Sequence, residues 1–193
     1  MSEIKQQLIK AVKDLLEDGF EVDKITIRQI AYEAHISVGL INYHFGSKWK
    51  LIMEAVSSII EEASAAVFAE LANRQEEPRQ KLRTFLRAMI AVVAEYPEYS
   101  EMLIKDELFS ERFSTPETIV GMIREIKPEA SLKEAKYLAI QVVASMQYVF
   151  LKAKGLKRYL AEDNSAKSEN DTSVSETTEF ETIMEEFLQS LGL

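Results

Sequence analysis

Residues 26–48 read Thr26-Ile-Arg-Gln-Ile-Ala-Tyr-Glu-Ala-His-Ile-Ser-Val-Gly-Leu-Ile-Asn-Tyr-His-Phe-Gly-Ser-Lys48. Thr26 with Gln29 three residues on has the spacing of a capping box and predicts a helix from Ile27. Ile27, Ile30, Ala31 and Ala34 fall at i, i+3, i+4 and i+7, which makes one buried stripe. Arg28, Gln29, Tyr32 and Glu33 lie off it. Ser37 is the next cap candidate, so a turn spans 34–37. In the helix that follows, Val38, Ile41 and Phe45 share the face that packs on the first helix. The opposite face carries Gly39, Leu40 and Tyr43, with Asn42 and His44 on its flanks. Gly46 ends this helix and Ser47 caps another. Lys48 and Lys50 flank that cap, where a helix N-terminus already favours a phosphate.

Two short helices joined by a tight turn are a device for placing side chains in the DNA major groove. Gly39 has no side chain to hold the backbone away from a duplex. Asn42 and Tyr43 can hydrogen-bond bases or phosphates, and Leu40 can touch a thymine methyl. Thr26, Arg28, Ser37, Val38, His44 and Lys48 complete the candidate DNA-contacting set. A plain pair of packed helices would show the same periodicity, so charge has to separate the two readings. Lys24, Arg28, Lys48 and Lys50 against Glu33 leave 24–50 at +3, whereas the whole chain stands at −9. A basic island on an acidic protein is what phosphate contact requires.

The stretch from Thr26 to Leu51 resembles the DNA-binding signature of TetR-type transcriptional regulators. The matching residues are Thr26, Ile30-Ala31, Ala34, Ile36-Ser37, Gly39, Ile41, His44-Phe45, Ser47-Lys48 and Leu51. His35 stands where that family usually has glycine. Asn42 stands where it usually has a phosphate-contacting tyrosine, which divides that role between Asn42 and Tyr43. The resemblance implies a dimer paired through its last two helices. It also implies an effector pocket in the second domain, whose occupancy shifts the separation of the two DNA-reading heads.

With 193 residues, 47% of them apolar, the chain can build a real core. It has no cysteine, so neither a disulfide nor a thiolate metal site is open to it. Its two histidines, His35 and His44, both lie in the quoted stretch, and neither has a second ligand nearby in sequence. No nucleophile elbow, phosphate loop or dinucleotide fingerprint occurs. The acid pairs Glu61/Glu62, Glu76/Glu77 and Glu185/Glu186 are adjacent and diverge on a helix, as on a solvated face. Enzymatic, metal and cofactor roles are therefore not expected. The N-terminus lacks a signal-peptide core, and no apolar run reaches the ~18 residues of a membrane span. A soluble, cytoplasmic protein is expected.

Helical periodicity recurs along the chain and no strand alternation interrupts it. The predicted fold is all-α, with about nine helices. A three-helix domain over 1–47, with its first helix at 3–18, precedes a larger helical effector-binding and dimerisation domain over 48–193. The second domain begins with a long helix from Ser47. A helix from Pro78, shorter helices at 98–109 and 116–126, and a long one at 132–156 follow. Residues 161–178 are polar and acidic and are expected to form a mobile loop. A last helix spans 178–191.

The segment 137–151 is apolar nearly all round, as is a helix buried on more than one side. Either the core or a second subunit can cover it. A two-fold dimer suits palindromic half-sites about one turn, ~34–36 Å, apart. The candidate dimer residues are Val142, Val149, Phe150, Phe180, Ile183, Met184, Phe187 and Leu188. Methionines and aromatics in the same domain suit an adaptable apolar cavity as well as a plain core. Phe85, Met89, Met102, Phe109 and Met122 are its candidates, with Gln141, Gln147 and Tyr148 to orient an apolar or aromatic effector. The function expected is a homodimeric regulator of palindromic operators, a repressor released by its effector. The rival is a helical protein-interaction adaptor that keeps the fold without binding DNA.

Overall fold

The computed structural model describes residues 2–72, 74–160, 182–187 and 189. In chain order these form α1 (Glu3–Glu17), a 3-10 turn (Val22–Lys24), α2 (Ile27–Glu33), α3 (Val38–Phe45) and α4 (Lys48–Ala72). Then come α5 (Pro78–Glu95), α6 (Pro97–Leu108), α7 (Ser114–Ile126) and α8 (Leu132–Leu160). A helical stretch at 182–187 follows. The fold is all-α, and no strand occurs among the described residues. The expected 161–178 loop and the rest of the last helix lie outside the described residues. No helix among them is long and apolar enough to cross a membrane.

Backbone contacts divide the chain into two units, Met1–Ala63 and Ser64–Leu193. In the first, α1 packs on α2 and α2 on α3. Leu8, Val12, Ile30, Ile41, Leu51 and Ile52 are fully buried, as the stripes predict. Side chains tie the elements together further. Gln7 Nε2 donates to the Ala34 carbonyl at 2.8 Å. The Lys5 ammonium lies 5.1 Å from the centre of the Phe45 ring. Lys13 of α1 pairs with Glu62 of α4.

Two helices of this unit end in the same way. After α1, the Gly19 N–H donates to the Leu16 carbonyl and the Phe20 N–H to the Leu15 carbonyl, both at 3.1 Å. After α2, the His35 N–H donates to Tyr32 at 3.1 Å and the Ile36 N–H to Ala31 at 3.0 Å. Both are Schellman motifs, whose C′ residue must be left-handed. Gly19 meets this at φ +86° and His35 at φ +52°. His35 has positive φ, the only non-glycine to do so among the described residues. The tight helix-turn-helix therefore forms without the glycine, at the cost of backbone strain.

In the second unit α7 packs most extensively on α8, and α5 packs on α7 and α6. Leu86, Ile119, Ala135, Ala139 and Met184 are the innermost members of one apolar cluster. Truncating a buried leucine or isoleucine such as Leu86 or Ile119 to alanine costs about 2–5 kcal/mol. Phe68 of α4 stacks on Phe85 with centroids 4.8 Å apart. α7 starts at Ser114, two residues before the predicted 116, because its cap comes from another helix. Glu107 of α6 accepts from the Ser114 hydroxyl at 2.9 Å and the Thr115 N–H at 2.8 Å. Its other oxygen accepts from the buried Gln147 amide at 3.0 Å. One carboxylate thus joins α6, α7 and α8. The stretch 182–187 is tied to α5 through Glu185, which accepts from Arg83 Nη2 and Arg87 Nε, both at 2.8 Å. Hydrogen bonds from Arg87 and then Arg83 hold its carboxyl at about 2.

Candidate nucleic-acid interface

α2 begins as the capping box predicts. The Thr26 hydroxyl accepts from the Gln29 N–H at 3.2 Å, and Gln29 Oε1 accepts from the Thr26 N–H at 2.8 Å and its hydroxyl at 2.7 Å. The turn then presents α3 with Ile41 and Phe45 buried. What remains outward is Gly39, Leu40, Asn42 and Tyr43, with Tyr43 81% exposed and Leu40 37%. His44 is half-buried, its ring edge-on to Tyr43 at 5.0 Å. Val38 is half-buried too, at the margin of the packed face.

Two hydroxyl-capped starts differ. Ser37 occupies the N-cap position of α3, but its hydroxyl makes no cap bond. It stays exposed, and so does Arg28. Ser47 does cap α4, accepting from the Lys50 N–H at 3.2 Å. Gly39 is not needed for room inside the protein, since the nearest atom to an added Cβ is Ser37 Oγ at 3.9 Å. Any demand for glycine there comes from outside.

The basic island is smaller in three dimensions than in sequence. Lys24 is paired with Glu21 at 2.5 Å. The Lys48 ammonium donates to the Ile25 carbonyl at 2.8 Å, tying the start of α4 to the residue before the α2 cap. Lys48 thus has a structural bond as well as a charge. Among the exposed side chains of this unit outside the candidate set are Lys50 and Tyr32, the latter 80% exposed. The signal for both was present, in the charge island and in an off-stripe position.

The structure disperses the candidates of the second unit. Phe85, Met89 and Met122 pack against the core cluster, and Gln147 is buried on Glu107. Met102 is half-buried, whereas Gln141 is exposed, Tyr148 is 60% exposed and Phe109 is 90% exposed. Of these eight, Gln141, Tyr148 and Phe109 face outward and the other five are buried or half-buried. Of the dimer candidates, Val149, Ile183 and Met184 are buried in the chain's own core, and Val142, Phe150 and Phe187 pack against it. Phe180 and Leu188 lie outside the described residues.

Residues 15–55 match the family model for bacterial regulatory proteins of the tetR family. Over those residues the chain is similar to the tetR family. That match runs from the end of α1 through the 3-10 turn, α2 and α3 to the start of α4. HTH-type transcriptional regulator BetI 1 of Chromohalobacter salexigens is 33% identical over 82 residues, 42% of this chain and 40% of that protein. The chain thus aligns with well under two thirds of this relative. Nucleoid occlusion factor SlmA of Vibrio vulnificus is 21% identical over 144 residues, 71% of this chain and 73% of that protein. Among solved structures, a candidate transcriptional regulator of Pseudomonas aeruginosa PAO1 superposes with a TM-score of 0.56 at 21% identity, covering 97% of this chain and 89% of that one. A TetR-like transcriptional regulator of Rhodococcus sp. RHA1 gives 0.50 at 17%, covering 96% and 93%. At those identities the likeness is one of fold.

Proposed function

We propose that the chain is a homodimeric, sequence-specific DNA-binding transcriptional regulator. In this reading it is a cytoplasmic repressor released by a small-molecule effector and is not an enzyme. The observation that carries the reading is the outward face of α3. Gly39, Leu40, Asn42 and an 81% exposed Tyr43 stand clear on a helix whose other face is buried, inside a tetR-family domain. α3 is the helix that enters the major groove. Leu40, Asn42 and Tyr43 read base edges or flanking phosphates, and Gly39 lets the backbone approach. Thr26, Arg28, Ser37, Val38, His44 and Lys48 serve the phosphates and the register. Residues 1–47 form the DNA-reading domain, and 48–193 hold the effector and the second subunit.

Subunit pairing is assigned to the outward stripe of α8. Tyr137, Gln141, Ala144 and Tyr148 recur at four, three and four residues, the spacing of a packed helix seam. All four are exposed, with Tyr137 at 56%. Together with the last helix this stripe makes a two-fold contact suited to a palindromic operator. The effector is apolar or aromatic and binds within the second unit.

The test is a substitution series read by fluorescence anisotropy on DNA from upstream of the chain's own coding sequence. Tyr43→Ala should weaken binding at least tenfold, with thermal unfolding and subunit association unchanged. A chain that binds no DNA saturably, or a Tyr43→Ala variant that binds as well as the parent, overturns the reading.

A further inference from the structure

An open groove of about 380 Å³ lies in the second unit between α5, α7 and α8. Its apolar wall is formed by Leu82, Ile123, Ile126, Leu138 and Val142. Two cations, Arg79 and Lys127, line the same groove, and no acidic residue does. Two neighbouring bases are ion-paired. Lys81 pairs with Glu125 at 3.5 Å and Lys136 with Glu117 at 3.2 Å. Arg79 and Lys127 have no ion-pair partner among the described residues. Both border the same apolar wall.

Size selects the class of occupant. The groove falls within the ~300–1,000 Å³ range of small-molecule sites. A stable protein partner would need about 800 Å² from each side, more than one such groove supplies. Charge selects the head group. Two cations beside an apolar wall complement an anion, and a carboxylate is well matched by the planar donors of a guanidinium. Gln141 adds an uncharged side-chain amide to the lining, whereas the Ser145 hydroxyl already donates to the Gln141 carbonyl at 2.7 Å. An adjoining hollow shares Lys127, Leu138 and Gln141 but is lined also by Glu129 and Glu134. Those acids disfavour an anionic head in the adjoining hollow and leave the groove of Arg79 and Lys127, which no acid lines, as its place.

We infer that this groove binds an amphipathic monocarboxylate, an acid with one charged head and a slender apolar body. This goes beyond the DNA-reading assignment and does not depend on it. Gln141 also belongs to the α8 stripe assigned to subunit contact, so oligomeric state is measured alongside.

The probes are decanoate and decan-1-ol, titrated by calorimetry and by proton–nitrogen NMR below their self-association limits, on the full chain. Decanoate should bind with one site per protomer, at least tenfold more tightly than the alcohol. Its amide shifts should map to α5, α7 and α8. The double variant Arg79→Gln, Lys127→Gln should lose that preference and bind both probes alike. Both positions are near the surface, so the variant's thermal unfolding should match the parent's. Val142→Trp, which fills the groove, should weaken both probes. A parent chain that does not favour decanoate, a double variant that keeps the preference, or a probe that binds by changing the oligomeric state would each overturn the assignment. DNA affinity measured on the same proteins without probe keeps the two claims apart. Loss of the probe preference leaves DNA reading standing, and absence of DNA binding leaves the groove standing.

Discussion

Replacing His35 with glycine should stabilise the protein without touching its recognition face. His35 holds φ +52° as the C′ residue of a Schellman motif whose two closing bonds, at 3.1 and 3.0 Å, use backbone atoms only. Its side chain is exposed. An L-residue in this region costs about 1–2 kcal/mol. Glycine removes that cost but loses roughly 0.5–1 kcal/mol more chain entropy on folding. The difference is a net gain of about 0.5–1 kcal/mol for His35→Gly. With a urea dependence of about 1–3 kcal/mol/M, the unfolding midpoint should rise by a few tenths molar. Gly19 supplies the control, because it holds the same position at φ +86° and nothing lies within 4 Å of an added Cβ. Gly19→Ala should lower stability by about 0.5–1 kcal/mol for the same backbone reason with the sign reversed. Both variants should bind DNA like the parent at temperatures where all three are folded. If His35→Gly is neutral or destabilising while Gly19→Ala costs nothing, the strain argument fails.

Three further outcomes can be measured. Thr26→Ala removes the hydroxyl that anchors the α2 capping box and should cost about 1 kcal/mol in urea unfolding. Lys48→Ala should differ in kind from Tyr43→Ala. It should weaken DNA binding and also lower stability by about 0.5–1.5 kcal/mol, because its bond to the Ile25 carbonyl is lost. Glu185→Gln tests the tie between 182–187 and α5. The carboxyl is depressed from the usual 4.5 to about 2, so its contribution is present above pH 4.5 and is lost as pH falls toward 2. The variant should be less stable than the parent at pH 7, and the gap should close by pH 2. The carboxyl and both guanidiniums are partly exposed, so salt should shrink the effect.

Local signals were legible in the sequence, and long-range ones were not. Thr26 and Gln29 set the start of α2, Pro78 the start of α5, and Gly46 the end of α3, because each acts through its own neighbours. The left-handed turn was legible only as a mismatch, a histidine where glycine is usual. The start of α7 was not, because Glu107 caps it from the preceding helix. Gln147 stood out as a polar residue on an apolar helix, but its partner, the same Glu107, lies 40 positions away. α8 continues through Gly155 to Leu160, since one glycine costs a helix only about 1 kcal/mol and packing outweighs it. Its near-uniform apolar surface hid which side faces inward. Val149 points into the core and Tyr148 out of it, a distinction that periodicity cannot draw when both sides are apolar. The grooved wall of α5, α7 and α8 combines residues from three helices, and no sequence window contains it.

The most direct test of the central claim is the salt dependence of binding to upstream DNA. Two α3 helices carrying Arg28, Lys48 and Lys50 beside them should neutralise about six phosphates, giving a slope near −5 in log affinity against log salt. Binding should be saturable at one dimer per palindrome, and the slope should become shallower by roughly two, one phosphate per protomer, in Arg28→Ala. A slope near zero, or no saturable binding at any salt concentration, would contradict the account.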